Sequence, residues 1–555
     1  VTDNLFTSNK THSVLLLIII LIGGVCRFYT LNWDGGYNYH PDEMNITMAV
    51  SRIAIPGQMD PGFFAYNGFP IYLYRTAAQI LARITGDPSW TGEWSKITLI
   101  GRFLSALFST LSIYLIYWIG KKTINEKAAL LAAYLTAVTV GFIQTAHYGV
   151  TESLLLFLLL AISVCAITLV KGTTVLSRCW YAMALLSGLA LGTKTSALSF
   201  LVIPAVTGAI LFYREKYGAV VVRALSFCAL TLVTAIMVSP YSLVNFSAFT
   251  ASMEYEGAVV RGIVKVPYTL QFQNTVPYWF FFKNLHWHTG LIIPSVGMLG
   301  MFFWLVAIGR RKESVGALPL LCFGILYWGY VGSWYAKFIR YTVFIIPLLI
   351  LSTCWLCDRF SGYRRVKTLV VIIILLTLIT STVWAGAFMS IYREAATRTA
   401  ASRWMYENIP PGSVLLREHW DYGLPVPLRD RQDPSFRFEM MNNYDPDTEA
   451  KVRDMSRVLE GGDYLIVASR RLSGTIGTSH DAYPLTSRYY EKLFNGKLGY
   501  TPVRTFSSYP ALWGFAINDD SAEETFQVFD HPVVHIFKNS EGLPANRILK
   551  ILREE

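Results

Sequence analysis

Charge is scarce in this chain. Only 15% of its 555 residues are Asp, Glu, Lys or Arg, while 53% are hydrophobic. Soluble globular chains carry about a quarter charged residues, so the composition excludes an ordinary soluble protein and indicates a membrane one. The scarcity is uneven. Between Ser13 and Phe388 long runs hold almost no charge, whereas the stretch after Ile391 is rich in it. Two units follow: a membrane domain over residues 1–390 and a polar globular domain over 391–555. Cysteine is the second shortage. There are seven, all in or beside apolar runs and none after Cys357, so the polar domain does not rest on a disulfide framework. Cys354 and Cys357 close an apolar run and read as small helix-packing residues. Internal repeats and low-complexity tracts are also missing, which weighs against a transporter built from duplicated halves. The net charge of +11 sits in short basic clusters between apolar runs, without any nucleic-acid motif. It therefore points to membrane lipids as partners and away from nucleic acid.

What the sequence has in abundance is apolar runs near the ~20 residues that cross a bilayer. They occupy 14–29, 99–119, 128–143, 154–170, 179–192, 197–213, 220–238, 290–308, 317–332, 341–357 and 369–388. The expected fold class is a polytopic α-helical membrane protein of about eleven transmembrane helices with a C-terminal extracytoplasmic α/β domain. Basic clusters should mark cytoplasmic loops. They stand at Lys10, Lys121/Lys122/Lys127, Lys171/Arg178, Arg214/Lys216, Arg310/Arg311/Lys312 and Arg359/Arg364/Arg365/Lys367. These are alternate loops. The N-terminus is expected in the cytoplasm, the first run as an uncleaved helix, and the protein in the plasma (inner) membrane.

Two outside loops are long, 30–98 and 240–289, and both mix aromatics with Gly and Pro. Such segments suit short helices lying in the membrane interface. In the polar domain, 395–408 and 448–459 read as helices, and 413–417, 464–468, 503–507 and 533–537 as strands. Pro410-Pro411-Gly412 reads as a helix stop.

Four groups of residues could carry chemistry. Tyr39-His40-Pro41-Asp42-Glu43 follows the first apolar run. Its carboxylate pair can serve as general base or hold a divalent cation, or it can simply open a helix, with Pro41 first and two acids beside the positive helix end. His147-Tyr148-Gly149-Val150-Thr151-Glu152 fills a tight outside turn on the same membrane face. Arg102, Lys194, Lys337 and Arg340 fall at outer ends of spans, against the positive-inside trend. An anionic group held at the boundary would explain them; singly, each could snorkel to headgroups. His286 and His288 alternate in the second outside loop and could contact an acceptor or a metal, as could His40, His147 and Asp421; interfacial hydrogen bonding is the simpler role.

The order and common side of these motifs resemble the GT-C superfamily of membrane glycosyltransferases, in the branch of protein O-mannosyltransferases and lipid A aminoarabinose transferases. The features concerned are Asp42-Glu43, the His147–Glu152 turn, Gly192-Thr193-Lys194 and Lys337-Phe338-Ile339-Arg340-Tyr341. The resemblance implies Asp42 as catalytic carboxylate with Glu43 as neighbour, and Glu152 in place of an Asp often found in that turn. It implies Lys194, Lys337, Arg340 and Arg102 as ligands of a polyprenyl-phosphate sugar. His419-Trp420-Asp421-Tyr422-Gly423 is similar to the Trp-Trp-Asp-Tyr-Gly signature of oligosaccharyltransferases, with His419 for the first Trp. The implied reaction moves a sugar from lipid phosphate to an acceptor hydroxyl on a protein, lipid or glycan, through an inverting oxocarbenium-like transition state, with no certain cofactor. The rivals are oligosaccharyltransferase-like protein glycosylation and a lipid-linked sugar flippase. A receptor or scaffold would leave Asp42-Glu43 and the outside cations without a role.

Overall fold

The computed structural model describes residues 2–172, 176–213, 217–430 and 434–553. Each of the eleven apolar runs falls on helix. Among the described residues, six helices are long and apolar enough to cross a membrane: Lys10–Phe28 within a longer helix, Trp94–Thr123, Glu152–Val170, Thr195–Phe212, Val221–Val238 and the segment from Lys367. Two bent pairs raise the number to eight if each is one span, Glu126–Ala137 with Val140–Ala146 (52°) and Trp279–Thr289 with Ile293–Gly309 (114°). The three remaining runs lie on Leu176–Thr193, Leu318–Val331 and Ile346–Ser361. The chain is an integral membrane protein.

Small residues let these helices approach closely, as is usual where lipid removes the hydrophobic drive between them. A Cβ on Gly297 would lie 2.6 Å from the Leu349 carbonyl, and one on Gly300 2.3 Å from that of Ser352. Ile293–Gly309 therefore packs backbone to backbone on Ile346–Ser361. The basic loops gather on one boundary: His12 lies 3.6 Å from Glu126, Lys121 pairs with Glu126, and Lys171 reaches Lys122 and packs on Gly316. The Arg214/Lys216 cluster lies outside the described residues. The C-terminal domain covers the opposite boundary.

That domain holds a five-stranded sheet. Its strands are β1 (Val414–Glu418), β2 (Arg437–Met441), β3 (Tyr464–Val467), β4 (Tyr500–Phe506) and β7 (Val534–Asn539), with a small hairpin of β5 (Ala511–Leu512) and β6 (Phe515–Ala516) apart. The order is β2-β1-β3-β7-β4. β1 pairs in parallel with β2 and β3, while β7 is antiparallel to β3 and β4. Side chains alternate faces along a strand. Leu415, Ile466 and Ile536 enter a core shared with Trp33, Tyr39, Tyr148 and Tyr392 of the membrane domain. Leu416, Leu465 and Phe537 enter a second core with Leu459, Tyr489 and Leu552. The central strands thus share one core with the membrane domain and with the helix Thr397–Asn408.

Candidate active site

Asp42 opens the helix Pro41–Arg52. His40 caps it through Nδ1, which accepts the Asp42 N–H at 3.2 Å, and Pro41 takes a position where a missing N–H costs nothing. Glu43, Ile46, Thr47 and Val50 recur at helical spacing and form the buried face. Asp42, about 100° round the helix from Glu43, looks off that face. Its carboxylate ion-pairs with Arg340, each side chain 25% exposed. Burial would raise the Asp42 carboxyl, but the Arg340 guanidinium outweighs it and holds the group below the usual carboxylate range.

Around this pair stand residues from separate segments. The Tyr66 hydroxyl faces Asp42; burial, and then that negative charge, push its pKa well above the ordinary value. Lys194 Nζ lies 4.8 Å from the centre of the Tyr66 ring and 3.6 Å from Glu152 Oε1. Glu256, on Phe246–Val260, has its carboxyl raised by burial and by the charge of Asp42. The structure therefore brings Asp42, Arg340, Lys194 and Glu152 into one cluster. Tyr66 and Glu256 join it without having been singled out; Tyr66 belonged to the aromatic alternation of the first loop, and Glu256 carried no local signal. Lys337 sits close by in sequence and buried, over Phe272 and Tyr335, with Nζ donating to the Tyr335 carbonyl at 3.0 Å. An ammonium has three donors, and among the described residues no carboxylate pairs with this one. Burial lowers its pKa.

Other expectations are corrected. Glu43, expected as a catalytic neighbour, and Arg102, expected as a phosphate ligand, both face inward. Arg102 donates to Glu43 at 2.7 and 2.6 Å, to Asp34 at 2.9 and 2.7 Å and to the Leu31 carbonyl at 2.9 Å. Glu43 also accepts the Gly149 N–H at 2.7 Å. A Cβ on Gly149 would lie 3.1 Å from Glu43 Oε1, so a side chain there would press on the carboxylate. His147 has its ring nitrogens on the carbonyls of Ile143 (2.8 Å) and Tyr29 (2.9 Å) and stacks on Tyr392. His40 is a buried cap between Tyr148 and Phe529, its pKa lowered to about 4 by burial. His286 and His288 lie on the helix Trp279–Thr289, where residues two apart point about 200° apart. They do not converge: His286 meets the Lys283 carbonyl, and His288 meets Thr342 at 3.2 Å. Asp421 is tied to Ser469 (2.7 Å), its neighbour's N–H and Arg398 (3.7 Å). Among the described residues no three His, Cys, Asp or Glu gather as a metal site would require.

A segment that sequence reasoning passed over, 519–531, straps the C-terminal domain to the cluster. Phe529 lies 4.1 Å from His40, the cap of the Asp42 helix. Glu523 accepts the Ile339 N–H at 3.0 Å, one residue before Arg340. His531 is clamped between Asp530 (2.5 Å) and Asp519 (2.7 Å), and Asp530 accepts from Tyr392 and Gln144.

This architecture has solved counterparts. The apo crystal structure of the Archaeoglobus fulgidus oligosaccharyltransferase superposes with a TM-score of 0.51 at 15% identity, covering 91% of this chain and 75% of that one. The fold is that of the GT-C glycosyltransferases. The archaeal oligosaccharyltransferase AglB from Archaeoglobus fulgidus, in complex with an inhibitory peptide and a dolichol-phosphate, gives 0.50 at 15% identity over 92% and 75% of the chains. ArnT from Cupriavidus metallidurans in the apo state gives 0.48 at 12% identity, over 83% and 93%. Residues 72–243 match the family model of dolichyl-phosphate-mannose-protein mannosyltransferases. That match includes Arg102, Glu152 and Lys194 and leaves Asp42 and Arg340 outside it. No curated protein matches this chain.

Proposed function

We propose that this chain is a membrane glycosyltransferase that moves a sugar from a polyprenyl-phosphate donor to an acceptor hydroxyl, at the boundary beneath the C-terminal domain. The observation that carries the reading is the Asp42–Arg340 ion pair set beside Lys194–Glu152, with Lys337, which no carboxylate pairs among the described residues, three positions before Arg340. With Arg340 against it, Asp42 is a weak base. A lipid phosphate competes for Arg340, since guanidinium binds phosphate through charge-assisted hydrogen bonds. Once Arg340 turns to the phosphate, Asp42 loses its counter-charge and becomes the better proton acceptor.

The reaction then closes simply. The acceptor hydroxyl gives its proton to Asp42 while its oxygen bonds to the anomeric carbon. The bond from that carbon to the phosphate oxygen breaks, and the electron pair leaves with polyprenyl phosphate. Arg340, Lys194 and Lys337 meet the charge that develops there. Glu152 holds Lys194, and Glu43 with Arg102 fixes the helix that presents Asp42.

The orientation is part of the proposal. The gathered basic loops read as cytoplasmic by the positive-inside rule, which sets the C-terminal domain outside the cell in the plasma (inner) membrane. The acceptor is a protein, lipid or glycan. A second reading, transfer to a protein amide, draws on the oligosaccharyltransferase fold and on Trp420, which stands 48% exposed in the His419–Gly423 motif. Parallel assays with hydroxyl-bearing acceptors and asparagine peptides separate the two.

Binding of a polyprenyl phosphate without sugar tests the site. Arg340→Ala and Lys337→Ala should each weaken it by about tenfold or more, a charge-assisted hydrogen bond being worth about 1.5–3 kcal/mol. Unchanged affinity in both variants would remove the phosphate site.

A further inference from the structure

The hairpin β5–β6 takes no part in the cluster, yet it carries the boldest apolar surface of the C-terminal domain. Trp513 is 82% exposed and Phe515 79%. The turn between the strands is Trp513-Gly514, with φ of +51° and +85°. Two positive φ values mark the mirror-image turn that favours Asn or Gly at its first position. A bulky aromatic held there bears local strain and gains no burial within the chain. Such a residue is left open to contacts outside the chain.

The hairpin sits at the end of an apolar span. Its base is closed by the Ile517 N–H on the Pro510 carbonyl at 2.8 Å, and the Ala511 N–H donates to Ser390 Oγ at 2.9 Å. Ser390 directly follows the helix Lys367–Met389. Leu512 packs against Gly386 in the last turns of that helix. Leu369, Ile372, Leu376 and Ile379 are exposed along the same helix, and Thr382 and Gly386 continue their stripe. In a membrane-spanning helix such a stripe faces lipid. The hairpin therefore leans on the lipid-facing side of the span, at its end.

Leu512 and Phe515 are directly opposed across the hairpin, and opposed residues share a face. That face meets the helix through Leu512. Phe515, beside it, overhangs the helix and faces what surrounds it.

We propose that the tip Trp513-Gly514-Phe515 inserts into the bilayer beside the last span, at the level of headgroups and upper acyl chains, and anchors the C-terminal domain to the lipid surface. Indole rings are favoured at that depth, and a shallow apolar insertion suits a two-residue tip. The anchor holds on either topology, because it lies at whichever boundary the C-terminal domain occupies. It stands independently of the reaction proposed above.

The full chain in lipid nanodiscs provides the test. The emission of Trp513 is isolated as the difference between wild type and Trp513→Phe. Lipids brominated near the top of the acyl chain should quench that difference signal, and aqueous iodide should not. Phe515→Trp should add emission with the same behaviour, which covers the case where the first variant accumulates poorly. Quenching by iodide without quenching by bromolipid would overturn the proposal and leave the tip as a docking site for a soluble partner. Insensitivity to both quenchers would overturn it equally, as the mark of a protein–protein contact.

Discussion

Two neighbouring carboxylates should fail in opposite ways. Asp42→Asn keeps size and leaves the backbone cap to His40 untouched. It breaks only a partly exposed ion pair, worth about 1 kcal/mol at most, so folding should survive. Arg340 loses a competitor, and polyprenyl phosphate should bind as well as before or better. Turnover should fall by about 10²–10⁴-fold, because Asn accepts no proton. Glu43→Ala strips three hydrogen bonds of 2.6–2.7 Å from a fully buried carboxylate and leaves Arg102 with Asp34 as its one carboxylate partner. Breaking a buried pair from one side costs about 3–5 kcal/mol. This variant should lose thermal stability and yield, and its residual activity should track the folded fraction. The assay is thermal unfolding in detergent beside lipid-phosphate binding and sugar release on the same preparations. A stable Glu43→Ala protein that binds lipid phosphate and does not turn over would refute the assignment and move the base to Glu43.

Further outcomes follow from the same geometry. His531 is pushed up to about 10: burial alone lowers it, but Asp530 and Asp519 reverse that. Its unfolded value is about 6.5, so its stabilisation is complete below that pH and fades as pH climbs towards the folded value. Hydrogen-exchange protection of 519–531, corrected for intrinsic rates, should therefore fall over this range; constant protection would contradict it. Glu523→Ala should reduce kcat more than polyprenyl-phosphate affinity, with Glu523→Gln restoring much of it, since Gln can still accept the Ile339 N–H; equal loss in both variants would deny the strap a positioning role. For orientation, Ser540→Cys should label with an impermeant maleimide on intact cells, and protection there would invert the topology.

Much of this was legible from apolar runs and charge placement, because a bilayer dictates helix length and loop charge directly. The convergence of Asp42, Lys194, Glu152 and Arg340 was legible for the same reason: each lay at one end of a span, on one side. What remained hidden depends on rotation and on distant packing. Adjacent Asp42 and Glu43 diverge because one residue turns a helix through about 100°, and only the burial of Ile46 and Val50 tells which one faces inward. His286 and His288 looked like a pair until helix separated them. In the sheet, β1, β3 and β7 lay within a residue or two of expectation. β2 was missed because its edge position leaves four of its five residues exposed without alternation. β4 starts earlier than expected because an edge strand tolerates Pro502. The strap 519–531 has no periodicity or motif; its role comes entirely from what it touches.

The central claim is that Asp42 serves sugar transfer from a polyprenyl phosphate. Its most direct test is release of polyprenyl phosphate from a panel of labelled polyprenyl-phosphate sugars by the purified chain in nanodiscs, with wild type and Asp42→Asn side by side. Wild type should release polyprenyl phosphate from at least one donor, coupled to label on an acceptor, and the variant should lose about 10²-fold or more. Equal release by both proteins, with the lipid phosphate bound in each, would contradict it.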